Sequence, residues 1–213
     1  SDTTTMPDGD VAKNYYSKVG DGRMVSISLP PYSSSTTVWY GPASYTVSNH
    51  AGKPELRCTL AIAGGGINTA TGGKALTDWV TEGTADPLDA LFADLNGGSR
   101  ANVHRLSTTI YDKPGTRVSE SRSYFEVPTS GSGSAGTNYD ASTVVYDDQG
   151  RRIRTVDATG TISRTSYDTP GRVYRRYIGT DDTGDAGSTL SGTNNIVKVE
   201  DMEYDSGSDH GNS

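Results

Sequence analysis

The sequence predicts an all-β protein of consecutive antiparallel β-hairpins, with one short helix near 87–96. Three observations carry that reading: apolar and polar residues alternate in several runs, clusters of Gly, Pro, Asn and Asp separate those runs, and one turn-like phrase recurs along the chain. Alternation at period two places successive side chains on opposite faces of a pleated strand, the pattern of a half-buried antiparallel sheet.

Taken in order, Val25, Ile27 and Leu29 share one strand face while Ser26 and Ser28 take the other. "TVWY" and "SYTV" follow, and then Leu56, Cys58, Leu60 and Ile62 alternate with Arg57, Thr59 and Ala61. In "ADPLDALFADLNGG" the period changes. Asp86 suits an N-cap, Pro87 the first helical position and Gly97 the residue past the end, while Leu88, Leu91, Phe92 and Leu95 form one apolar stripe. A short helix bracing a sheet is expected there. Further on, "LSTTIY", "RSYFEV", "STVVY", "RIRTV", "TISRTSY", "RVYRRYI" and "NIVKVEDMEY" are rich in β-branched and aromatic residues and read as strands. The Gly/Ser-rich stretches 64–74, 129–138 and 179–195 read as flexible surface loops. A soft division is expected near residue 104, with a degenerate β region and the helix at 1–103 and clearer repeats at 104–213.

Composition bounds the function. Leu, Ile, Val and Phe supply 34 of the 213 residues, below the ~20% that, together with high net charge, marks disordered chains. Thirteen tyrosines and the alternating runs argue for a folded chain instead. Twenty-six glycines imply many turns and few long helices. A net charge of -7 disfavours general attraction to nucleic acid or to an anionic membrane. Cys58 is the one cysteine, so no intrachain disulfide forms, and its place in an alternating run suits a small buried apolar residue. There is no apolar run long enough to span a membrane as a helix and no secretory leader pattern. Because it begins at Ser1 without a methionine and stops after "SGSDHGNS" in a turn-like stretch, the chain reads as a piece of a longer polypeptide whose targeting signals are expected outside it.

The recurring phrase is Tyr146-Asp147-x-x-Gly150-Arg151, which returns as Tyr167-Asp168-x-x-Gly171-Arg172. Tyr111-Asp112 with Gly115 precedes this pair, and Tyr204-Asp205 follows it. Each residue type has a reason to be there. Asp accepts hydrogen bonds from amides two or three residues on, Pro before Gly pre-sets the bend, and Gly takes the positive-φ position. Tyr spreads a broad ring over the strand end, so stacked copies are expected to form an aromatic ladder, and Arg is placed to pair with the Asp of its own or a neighbouring turn. A midway turn with Asp157 and Gly160 completes one strand pair per unit of about twenty residues. The phrase is a hairpin corner, repeated.

This pattern resembles the YD repeats of Rhs-type proteins, the family of bacterial toxin shells and animal teneurins. The resemblance is densest over 111–178 and weaker at 196–205. Asn49-x-x-Gly52-Lys53 and Asp21-Gly22-Arg23 look like worn copies, and "TNYDASTVVYDDQGR" with "IGTDD" is similar to the giant planctomycete YD-repeat surface proteins. The resemblance implies hairpins joined in one twisted or spiralling sheet, often closed as a shell, in a secreted or cell-surface setting. The paired Asp-Pro-x-Gly motifs of the autocleaving toxin shells do not occur in these residues, so protease and toxin activities do not carry over.

Signals for other chemistry are sparse. His50, His104 and His210 stand singly, paired cysteines are lacking, and neither a Gly-x-Ser-x-Gly elbow nor a complete phosphate loop occurs, since Gly73-Lys74 is followed by Ala75. No catalytic residue, cofactor or nucleic-acid partner is expected. Asp181, Asp182 and Asp185 offer oxygen donors of the kind calcium takes, although the loop lacks the EF-hand pattern and an exposed acidic loop is the alternative. Residues 151–176 hold seven arginines against two aspartates, which in strands points to cross-strand pairing. Trp39, Tyr40, Tyr174 and Tyr177 are candidates for a glycan platform, with stacking inside the sheet as the alternative. The expected function is that of a non-enzymatic scaffold, adhesin or shell wall, pairing with adjacent repeats of its parent chain or with other copies through sheet edges. The alternative is a carbohydrate- or partner-binding module that uses inserted loops and exposed aromatics.

Overall fold

The computed structural model describes residues 2–5, 7, 10–18, 22–33, 38–68, 103–112, 114–183 and 194–204. They form two compact units, 1–141 and 142–213. Each described strand pairs antiparallel with a strand next to it in sequence, as expected of hairpins that follow one another. Among the described residues no helix is long and apolar enough to cross a membrane.

The first unit contains β1 (Asp2–Thr5), β2 (Asp10–Lys18), β3 (Met24–Ser33), β4 (Val38–Ser48), β5 (Pro54–Asn68), β6 (Val103–Tyr111) and β7 (Val118–Tyr124). Its core is one face of the sheet. Val47 lies opposite Val25 and Leu56, while Tyr45 lies opposite Cys58, which lies opposite Leu106. All six are buried, and each large aliphatic or aromatic side chain so placed contributes about 1.5–3 kcal/mol. Ser44, Thr46, Arg57, Thr59, Arg105 and Ser107 alternate with them on the opposite face, as the period-two reading requires.

Two expectations change here. The glycine run at 64–66 continues β5, where Ile67 pairs with Trp39 and Asn68 with Val38. Glycine lacks a side chain but keeps both ladder groups, so a run of glycines does not by itself end a strand. The stretch 129–138, expected to be a free loop, is tied at Asn138. The Asn138 carbonyl accepts from the amides of Phe125 and Glu126, its Oδ1 accepts from the Ser134 amide at 3.1 Å, and the Tyr124 hydroxyl donates to the Ser132 carbonyl at 2.9 Å. The expected helix near 87–96 lies outside the described residues. Residue 104 falls within β6, inside the first unit.

The strand β8 (Tyr139–Tyr146) pairs through its residues 143–146 with β9 (Arg152–Val156) of the second unit, where β10 (Ile162–Tyr167), β11 (Val173–Gly179) and β12 (Val197–Asp201) follow. Burial here is more polar: Ile162, Arg164, Ser166 and Tyr177 form the covered set. Arg164 lies directly opposite both Arg154 and Tyr177. Two like charges face to face on neighbouring strands are destabilising unless a counter-charge joins them. Asp182, from the segment after β11, does so, with bonds of 2.6 and 2.9 Å from Arg154 and a longer one of 3.4 Å from Arg164.

Candidate functional site

Five hairpin corners share one hydrogen-bond pattern. At Asn49, Asp112, Asp147, Asp157 and Asp168 the residue's carbonyl accepts from the glycine amide three positions on, and its own amide donates to the carbonyl that closes the loop. The glycines Gly52, Gly115, Gly150, Gly160 and Gly171 have φ between 73° and 94°, the left-handed region that a side chain disfavours. At four of the corners this is the three-residue hairpin loop with a left-handed glycine, and at Asp112, which closes on Arg117, the loop is one residue longer. The side chain adds a second layer. Asp147 Oδ1 accepts from the amides of Gln149 at 3.0 Å and Arg151 at 2.8 Å, and Asn49 Oδ1 repeats this with Ala51 and Lys53. The amides reached are thus two and four residues on, because the glycine between them already bonds the carbonyl.

Arg pairs with the Asp of its own turn: Arg117 with Asp112 at 2.6 Å, Arg151 with Asp147 at 2.7 Å and Arg172 with Asp168 at 2.8 Å, each through Nε. These contacts set the acidity of the aspartates. Asp112 is held below the usual carboxylate range first by the Arg117 amide and then by its guanidinium. At Asp147 and Asp168 desolvation pushes upward, yet the amide and guanidinium of the following arginine together outweigh it and the carboxyls are lowered. Asp157 is lowered by Thr159 and Thr161, which replace the arginine at the midway turn.

Successive turns are locked to one another by the tyrosine. Tyr167 donates its hydroxyl to the Arg152 carbonyl at 2.9 Å, and Tyr204 donates to the Val173 carbonyl at 2.6 Å. In the first unit Tyr111 donates to the Pro54 carbonyl at 3.1 Å. In all three cases the acceptor stands five residues after the Asp or Asn that opens the preceding turn. The guanidinium of that preceding turn then covers the ring, Arg151 at 4.5 Å from the Tyr167 centroid and Arg172 at 4.1 Å from that of Tyr204. The expected tyrosine ladder is therefore an alternation of arginine and tyrosine. A cation over the ring face uses the quadrupole directly, and the Nε–Asp bond holds the cation there. Tyr146 ends β8 half-buried, and Asp205 lies outside the described residues.

Close approach accounts for the glycines a second time. A Cβ on Gly171 would stand 3.3 Å from Arg151 Nη1, and one on Gly115 would stand 2.9 Å from a ring carbon of His50 and 3.1 Å from Asn49 Nδ2. Asn49 also donates to the Gly115 carbonyl at 2.8 Å. The worn copy therefore keeps contact with the next turn through an amide, where the clear repeats use an arginine.

The remaining candidates are placed as follows. Trp39 and Tyr40 belong to β4. Tyr177 is buried and Tyr174 half-buried, with the Arg175 guanidinium 5.1 Å from the Tyr174 ring centre. Asp182 is committed to Arg154 and Arg164, Asp181 Oδ1 accepts from the Thr183 amide, and Asp185 lies outside the described residues. Six of the seven arginines in 151–176 pair with carboxylates: Arg175 and Arg176 across strands as expected, Arg151 and Arg172 within their own turns, and Arg154 and Arg164 with Asp182 in the segment after β11. Sequence reading missed the carbonyl acceptor and the Asp182 bridge. The constant five-residue offset was the available signal for the first; for the second there was none, because Asp182 meets its arginines across 28 and 18 residues.

No family model matches this chain, and no curated protein does. Among solved structures it is similar to a chain in the crystal structure of TcdB2-TccC3-Cdc42, at 12% identity and a TM-score of 0.31, over 92% of this chain and 9% of that one. It is also similar to a chain in the Photorhabdus luminescens Tc holotoxin pore bearing a TccC3 mutation, at 12% identity and a TM-score of 0.29, over 91% and 11%. The similarity is distant, and this chain spans about a tenth of the length of either.

Proposed function

We propose that this chain is a run of YD-type hairpin repeats from a large secreted or cell-surface protein, serving as a non-enzymatic β-scaffold such as a shell wall or adhesin stalk. The observation that supports this reading is the interlock: Tyr167 and Tyr204 each bond back to the preceding YD corner, and Arg151 and Arg172 each bind their own turn and cover the ring of the next of these tyrosines. Such contacts make each unit depend on its neighbour, as in repeat proteins whose stability lies largely in nearest-neighbour terms. β12 pairs with β11 on one side, and on its surface Val197 and Val199 stay about 60% exposed. A strand that ends the described strand order in this way is suited to take further repeats of the same parent chain or of another copy.

The test is the size of the native particle that carries this sequence, by light scattering with peptide mapping of its ends. A long chain or polymer agrees with the scaffold; a discrete monomer of this length overturns it and leaves the binding-module reading.

A further inference from the structure

The outward face of β4–β7 carries a groove of roughly 530 Å³, within the size range of small-ligand sites. Its floor is set by Ser44 and Thr46 on β4, Thr59 on β5, Ser107 on β6 and Ser123 on β7. Register makes these neighbours: Ser44 pairs with Thr59, Thr46 with Arg57, and Ser107 with both Arg57 and Ser123. Arg57 and Arg105 stand over this hydroxyl floor. Arg57 is opposite Ser107 and Arg105 opposite Thr59, so the two cations are diagonal neighbours on one face, at a spacing within reach of long side chains.

These two arginines differ from most of the described arginines. Eight arginines, from Arg117 to Arg176, hold carboxylate partners. Arg57 and Arg105 are exposed, line the groove, and hold none among the described residues. In a chain of net charge -7, two adjacent cations with no counter-ion among the described residues favour an anion between them.

We infer that this groove binds an acidic saccharide, with Arg57 and Arg105 holding its carboxylate or sulfate and the serine and threonine hydroxyls meeting its sugar hydroxyls. Hydroxyls donate and accept, which matches the mixed demand of a sugar. A peptide is the poorer fit. Peptides added to sheets bond to the backbone of an edge strand, whereas the backbone groups of β4, β5 and β6 here are used on both sides by ladder bonds.

Isothermal titration of the 213-residue chain with a uronate oligosaccharide, a sulfated one, a neutral one of equal length and oligoglutamate tests the assignment. One or both acidic sugars are expected to bind at least about tenfold tighter than the neutral sugar and oligoglutamate, and the preferred one identifies the anion. Arg57→Gln and Arg105→Gln should each weaken that binding about tenfold, the loss expected for a hydrogen bond to a charged group. Ser107→Glu, which puts a carboxylate beside Arg57, should weaken it as much, and serves if the arginine variants fold poorly. Oligoglutamate binding as tightly as the sugars, affinity unchanged in all three variants, or no binding of either acidic sugar would each overturn the assignment.

Discussion

At the scale of single residues, the corners separate two demands on glycine. Gly52 and Gly115 both sit at φ 73°, but a Cβ on Gly52 meets nothing within 4 Å while one on Gly115 runs into His50 and Asn49. Gly52→Ala should therefore cost only the left-handed penalty, about 1–2 kcal/mol, and Gly115→Ala clearly more, as read from urea midpoints. Tyr167→Phe keeps the ring under Arg151 and removes only the hydroxyl bond to the Arg152 carbonyl, so it should cost about 1 kcal/mol. Tyr167→Leu loses the cation contact as well and should cost more. Asn49 shows why Asp is not obligatory at a corner: its Oδ1 makes the same two amide bonds as Asp147. It gives up the arginine pair and gains a donor for the next turn.

At the scale of elements, the segment after β11 is anchored at its base. Asn195 Oδ1 accepts from the amides of Thr180 and Asp181, and Asp182 bridges Arg154 and Arg164. Asp182→Ala should leave two facing arginines without their bridge and destabilise the second unit by about 2 kcal/mol, the scale of a charged hydrogen bond lost at a largely covered site. The measurement is denaturant unfolding. Asp182→Asn should fall between, since its amide oxygen still accepts one guanidinium bond. In β5 burial pushes the Cys58 thiol up to about 12. Reaction with a thiol reagent at neutral pH should accordingly be slow, at a rate that rises with denaturant as β5 opens.

At the scale of the whole molecule, the corner aspartates act in concert on pH dependence. Asp112, Asp147, Asp157 and Asp168 are all lowered in the folded chain, as are Asp182, chiefly through Arg154, and Asp201, chiefly through Lys198. A carboxyl lowered on folding stabilises the fold above its unfolded value, near 4, and that contribution is lost as pH falls through the folded value. The melting temperature should thus stay level from neutral pH to about pH 5 and drop steeply below about pH 4. A melting temperature constant down to pH 3 would mean that the corners do not hold the molecule together.

The sequence by itself determined the all-β class, the hairpin corners and the neighbour-to-neighbour strand order, because alternation, turn residues and short connections are local signals. Even the worn corner at Asn49 was legible, since Gly52 and Asn49 meet the same backbone demands as the clear repeats. Contacts between distant residues were decided only by the tertiary structure. The tyrosine's acceptor, the arginine that covers its ring, the Asp182 bridge and the pair of arginines over the β4–β7 groove depend on which strands are brought side by side. That juxtaposition is set by register and burial across many residues, and residue types in a short window do not encode it.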